Sequence, residues 1–378
     1  MYPTWPQSDE DLVPLPRCEG PKLNPFDFQG PQNILFLEHL GEGLHSHVFK
    51  VQIRRQIYAL KLFRFTFDYN WLGPAKNADH SNHELMSAFY VYSEPFSCEC
   101  RAFGRLQEAG HEELAIRCFG YVLLDEKNER ALHSRFPDVG FEGDPELPNM
   151  PGMRSRFLGP DDQEPPIRGI VKEFGFETEE KEVQPAQLRK VLGDITRLQQ
   201  LGIMRIDIAM CQLANDKISD FSTAITVPHY ITTPELQPGL TDEMKIAMEL
   251  ETFRLAKDDF ILFDEMVYGW NLEYAEEKGR ISVHAFPGGC GCPPLRRYDF
   301  RNESARQRVY TFVDPRRYDW KRPATGIKKS RRKLRVKPPL WIYYCGDYDY
   351  LVDKLRTRYE SGPVLRWDYR DGMIFPRL

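Results

Sequence analysis

The sequence predicts an α+β chain of two lobes: a small antiparallel β lobe, then a mainly helical large lobe that carries a basic C-terminal extension. Three observations predict it. β-type runs cluster in the first half, helical spacing dominates the second, and 378 residues are more than one small core needs. With 41% hydrophobic and 28% charged residues, the composition is that of a chain able to bury a core rather than a disordered or fibrous one.

Residues 1–32 are rich in proline and acid, including Pro3, Pro6, Pro14, Pro16, Pro21, Pro25 and Pro31, which predicts an extended, loosely ordered lead-in. From residue 33 the runs ILFLEHL, HVFKVQI and QIYALKLFRF read as three strands. Gly41 and Gly43 separate the first two, and Arg54-Arg55-Gln56 turns between the next two. Residues 68–94 read as a polar insertion. After it Phe96, Glu99, Phe103 and Leu106 recur at helical steps between Pro95 and Gly110. IRCFGYVLL and IRGIVKEF supply two more strands. Between them, 125–166 holds seven prolines and ten acids against five Lys/Arg, which predicts an exposed loop.

In the large lobe, Leu188, Val191, Leu192, Ile195, Leu198 and Leu201 mark a helix opened by Pro185 and closed by Gly202. Short strands around an Asn215-Asp216 turn follow. Residues 243–278 read as helix, with Met244, Met248, Phe253, Phe260, Phe263, Met266 and Trp270 as core positions. The predicted boundaries are 1–32 lead-in, 33–174 small lobe with insertions at 68–94 and 125–166, and 175–378 large lobe and extension.

No apolar run approaches the roughly 18–20 residues of a membrane span, and the start lacks a secretory pattern, so the chain reads as neither spanning nor secreted. Eight irregularly spaced cysteines suit reduced thiols in cytosol or nucleus, and neither C-x-C pair has a second ligand pair at zinc spacing. The net charge of −5 hides a split. Residues 296–337 hold sixteen Lys/Arg and four Asp/Glu, a balance of +12, so the remainder carries −17. Within the basic segment 321–340, Lys328, Lys329, Arg331, Arg332, Lys333, Arg335 and Lys337 have the composition of a nuclear-import signal or polyanion-binding patch; a solvated loop is the bland alternative. The aromatic-basic stretch Tyr310 to Trp320 fits partner docking or packing on the large lobe.

Several residues fall in an order that carries chemistry. In Gly41-Glu42-Gly43-Leu44-His45-Ser46-His47-Val48, Gly41, Gly43 and Val48 match the glycine loop G-x-G-x-x-G-x-V, with Ser46 at the third glycine. Lys61 lies in YALK on the third strand and Glu99 on the next helix. Asp207 and Gln212 keep the spacing of H-R-D-L-x-x-x-N, and Asp220 precedes Phe221. This order resembles the protein-kinase fold. The resemblance implies ATP and Mg²⁺ as ligands, with Gly41, Gly43, Val48, Lys61 and Glu99 at the nucleotide, Asp207 as base, and Asp220 with Gln212 at the metal. The sequence departs from the pattern at Arg205 for His, Ile206 for Arg, Gln212 for Asn and Ala209 for a phosphate-directed lysine. Such erosion favours a pseudokinase over a working phosphotransferase. The bland alternatives are an ordinary strand lysine, a surface acid and two loop-capping aspartates.

Beyond that core, the strings GPKLNPFDFQGPQ, FLEHLGEGLHSHVFKVQIRRQIYALKLFRF, SEPFSCECRAFGRLQEAGHEELAIRCFGYVLLDE, IRGIVKEF, RLQQLGI, DFSTAIT, VYTFVDPRRYDW and DGMIFPRL resemble the fungal kinetochore Sim-four complex subunit (Fta-two) family. The resemblance implies a nuclear protein at the kinetochore or centromere whose partners are other protein subunits. The expected function is that of a nuclear assembly module on a kinase-like fold. The rival readings are an atypical Mg-ATP phosphotransferase and a protein that binds DNA backbone non-specifically through its basic segment.

Overall fold

The computed structural model describes residues 2–6, 8–68, 71, 82–143, 153–159, 162–176, 179–289, 309–321, 331–343 and 365–377. Its residues group into two compact units. The first comprises Met1–Glu108, Ala115–Phe176 and Phe221–Thr223; the second comprises Ala109–Leu114, Glu177–Asp220 and Ala224–Leu378.

In the first unit β1 (Leu35–Glu42), β2 (Ser46–Ile53), β3 (Gln56–Phe63), β4 (Cys118–Leu123) and β5 (Arg168–Glu173) form one antiparallel sheet in the order β1-β2-β3-β5-β4. The five predicted runs are the five strands. Arg54 and Arg55 close the β2–β3 hairpin in the left-handed region, at φ +48° and +66°, which matches the twist of the flanking strands. Between β3 and β4 lie α1 (His83–Ser93) and α2 (Pro95–Ala109), and Gly110 follows α2 at φ +70°.

Three expectations need correction here. The lead-in is packed rather than loose: Leu15 and Leu23 exchange backbone hydrogen bonds, and Phe26 N donates to Tyr121 O at 2.8 Å. Leu23 and Phe26 are buried. Glycines admit it: a Cβ on Gly104 would stand 2.5 Å from Lys22 O, and one on Gly120 2.8 Å from Asn24 O. The 68–94 insertion contains α1, which Asn82 caps by accepting from Leu85 N and which buries Leu85, Met86, Phe89 and Tyr90. The supposed loop at 125–166 contains α3 (Glu126–Arg135). Asp125 caps it, acids fill its first turn and His133 and Arg135 its last, as the helix dipole favours; Leu132 is its apolar anchor.

The second unit is built on α4 (Pro185–Gln200) and the 37-residue α5 (Asp242–Lys278). Between them run two short strand pairs: β6 (Ile203–Met204) pairs with β9 (Ile225–Thr226), and β7 (Leu213–Ala214) with β8 (Lys217–Ile218) across left-handed Asn215 and Asp216. Met248, Phe253, Phe260, Phe263 and Trp270 are buried on α5, whereas Met244 and Met266 are half-buried. Downstream, β10 (Val309–Thr311) pairs with β11 (Trp341–Tyr343), and β12 (Arg366–Arg370) with β13 (Met373–Arg377). The aromatic-basic stretch packs within this unit: Phe312 meets Phe260 at 4.5 Å, and Arg316 lies over Trp341 at 4.6 Å while pairing with Asp314 and Glu249.

Candidate functional site

In the first unit, β3 and α2 bring two of the predicted residues together. Lys61 Nζ lies 2.8 Å from Glu99 Oε2. Sequence reasoning missed a third member: Lys172 of β5 forms an ion pair with the other oxygen of the same carboxylate. Register explains it. Lys172 faces Ala59 across β3–β5, so Lys61, two residues on, is its diagonal neighbour on the same face. Glu99 is 0% exposed and both lysines 5%, so one carboxylate and two ammonium groups share a dry site. A lysine in the otherwise apolar middle of IRGIVKEF was the signal available.

The glycine loop joins β1 to β2, with Gly43 N donating to Ser46 O at 2.9 Å. Neither Gly41 nor Gly43 has a positive φ, and a Cβ on either would meet nothing within 4 Å. The backbone there does not itself demand glycine. Val48 is half-buried and stands opposite both Gly41 and Lys61. Beneath the loop, His47 is buried between His39 and the Gly140 carbonyl, and burial pulls its pKa down to about 4. Phe221 packs edge-on against Phe103 at 5.2 Å, one helical turn from Glu99 on α2, and Ser222 Oγ lies 3.3 Å from His45 Nδ1.

In the second unit, the segment 205–220 is organised by a residue the sequence reading passed over. Asp259 of α5 is 1% exposed and accepts from the backbone N–H of Arg205 at 3.1 Å and of Ile206 at 2.8 Å, with Gln199 Nε2 at 2.9 Å as a further donor. Burial pushes its pKa up to about 6. Ile206 sits at φ +64°, a strained conformation for a β-branched residue that this clamp holds. An acid among the buried apolar positions of α5 was the clue. Asp207 is exposed and Asp220 half-buried. Gln212 is engaged at both ends of its amide: Oε1 accepts from the Arg205 guanidinium at 2.5 Å and Nε2 donates to Asp207 Oδ2 at 2.7 Å. Among the described residues no group of three or more His, Cys, Asp or Glu is arranged to hold a metal ion.

Of the basic segment, residues 322–330, Lys328 and Lys329 among them, lie outside the described residues. The remainder is strapped to the second unit through its backbone. Arg332 N donates to Ala109 O at 3.1 Å, His111 Nε2 lies 2.5 Å from Arg332 O, and Arg335 and Gln200 exchange two hydrogen bonds at 2.8 and 3.0 Å. Arg331 pairs with Glu113 and Arg332 lies over the Tyr318 ring at 4.0 Å, leaving Lys333, Arg335 and Lys337 as exposed cations. Among the described residues no helix is long and apolar enough to cross a membrane, and no disulfide forms.

These features define a mixed α+β protein: a five-stranded antiparallel sheet comes first, its strands interleaved with short helices and its inner face bearing a buried ionic cluster, and helices follow. The chain belongs to the family described as kinetochore Sim4 complex subunit FTA2, which matches residues 12–225, more than half of its length. Membership of a kinetochore subunit family implies a nuclear, centromeric location. No curated protein matches the chain.

Proposed function

We propose that this protein is a pseudokinase-type assembly module: a two-lobed, kinase-like scaffold that binds other subunits of a kinetochore complex and transfers no phosphate. The observation that carries the reading is the Lys61–Glu99–Lys172 cluster. The ion pair that would orient a phosphate-directed lysine is kept at 2.8 Å, yet Lys61 is 5% exposed and competes with a second lysine for the same carboxylate. The framework has a structural use that survives the loss of chemistry. ATP binding through Gly41, Gly43, Val48, Lys61 and Glu99 is vestigial in this reading.

The atypical phosphotransferase stays in view because Asp207 is exposed and holds the position of a base in the loop. A contribution from DNA-backbone contact is supported by the outward cations Lys333, Arg335 and Lys337, and would weaken steeply with added salt.

Thermal unfolding of the purified full chain, with and without millimolar Mg-ATP and beside Lys61→Ala, separates the first two readings. A ligand that binds only the folded state must raise apparent stability. The assembly reading expects no Mg-dependent shift. A shift that disappears in Lys61→Ala, accompanied by phosphate transfer that disappears in Asp207→Asn, would overturn it.

A further inference from the structure

A cation already stands where the kinase resemblance expects a metal. Arg205 is 1% exposed, and its main chain is fixed by Asp259, so its side chain leaves from a set position. Its guanidinium donates to Gln212 Oε1, the one side-chain oxygen with which Gln212 could bind a metal, and Gln212 in turn donates to Asp207. A guanidinium has five N–H donors and no acceptor and does not give up its proton in proteins. Burial works against the Arg205 charge; Asp259, Asp220 and Asp207, in that order, work for it. Magnesium needs oxygen ligands at about 2.1 Å in near-octahedral array, which an oxygen turned toward a guanidinium does not offer, and a second cation beside the first meets direct repulsion. The residues present do not fit the metal.

We propose that the Arg205 guanidinium, bonded to Gln212 and linked through it to Asp207, is a built-in counter-cation for the acids of this segment, completing the cluster without Mg²⁺. The inference rests on the kinase-like reading above only for the expectation that a metal belongs here. It converts that reading into a statement about charge: the two acids are stabilising partners of a fixed cation, not a vacant pair repelling each other.

The sign of a stability change decides between those two states. In the full-length protein, Asp207→Asn with Asp220→Asn removes two of the three acids that favour the Arg205 charge and leaves Asp259, and the expected result is a fall in Tm of about 2–4 °C. If the acids were a metal pair without its cation, neutralising them would relieve repulsion and raise Tm, which would overturn the proposal. Titration with MnCl₂, read by the loss of the free Mn²⁺ electron-paramagnetic signal, gives a second readout that needs neither nucleotide nor activity. The wild-type protein is expected to take up no Mn²⁺ at this cluster. Uptake that Asp220→Asn abolishes would overturn the proposal, as would a folded Arg205→Ala variant that gains no Mn²⁺. An absence of ATP binding would count against the kinase-like reading alone, since neither readout here depends on it.

Discussion

Replacing Glu99 by Gln leaves two ammonium groups, on side chains 6% and 7% exposed, without the carboxylate that holds them both. An exposed pair broken in this way costs about 0–1 kcal/mol. A buried one costs about 3–5 kcal/mol, because the orphaned charge stays out of water. With Glu99 at 0% exposure the second figure applies, equivalent to a fall in Tm of about 6–20 °C for a unit of this size. Lys172→Met is milder, since Glu99 keeps Lys61 and the methionine stem replaces the lysine's apolar length. The cycle is diagnostic: Glu99→Gln/Lys172→Met has one orphan cation fewer than Glu99→Gln and is the more stable of the two. Urea unfolding followed by circular dichroism measures all three. A cost below about 1 kcal/mol for Glu99→Gln, or a double variant destabilised by the sum of the singles, would refute the shared-carboxylate account.

Three further outcomes follow from particular contacts. His47 titrates near 6.5 when unfolded and at about 4 when folded, so the unfolded chain takes up its proton first. The first unit therefore loses stability as pH falls from about 6.5 toward 4, and unfolding curves for His47→Gln across that window show a shallower loss. Gly104→Ala drives a Cβ into the Lys22 backbone and exposes residues 1–30 to limited proteolysis, while Gly43→Ala, with open space around it, leaves both proteolysis and Tm unchanged. Gln200→Ala removes both hydrogen bonds to Arg335, so trypsin cleavage after Lys333 and Arg335 accelerates severalfold; an unchanged rate would contradict the strapped segment.

What the sequence disclosed, and what it hid, divides along physical lines. The five strands were legible because β-branched and aromatic residues alternate within short runs bounded by turn residues, and α4 because Pro185 and Gly202 bracket a clean helical period. The pairing of Lys61 with Glu99 could be anticipated from order alone. Lys172 and Asp259 could not, since each acts through a partner distant in sequence, 73 residues before Lys172 and 53 or 54 before Asp259. α1 and α3 were masked by averaging composition over whole insertions, although Asn82 and Asp125 stood at their N-caps. The lead-in misled because proline and acid content describes a segment's own stiffness and solubility. Its order comes from elsewhere, through two glycines that open room for its backbone.

The most direct test of the assembly role is affinity capture of kinetochore subunits on full-length wild-type protein and on Asp207→Asn, a substitution at an exposed side chain. The account predicts the same subunits in the same yield from both, and equal centromeric localisation of the two forms. Loss of subunits or of localisation from a folded Asp207→Asn protein, with phosphate transfer detected only in the wild type, would contradict it.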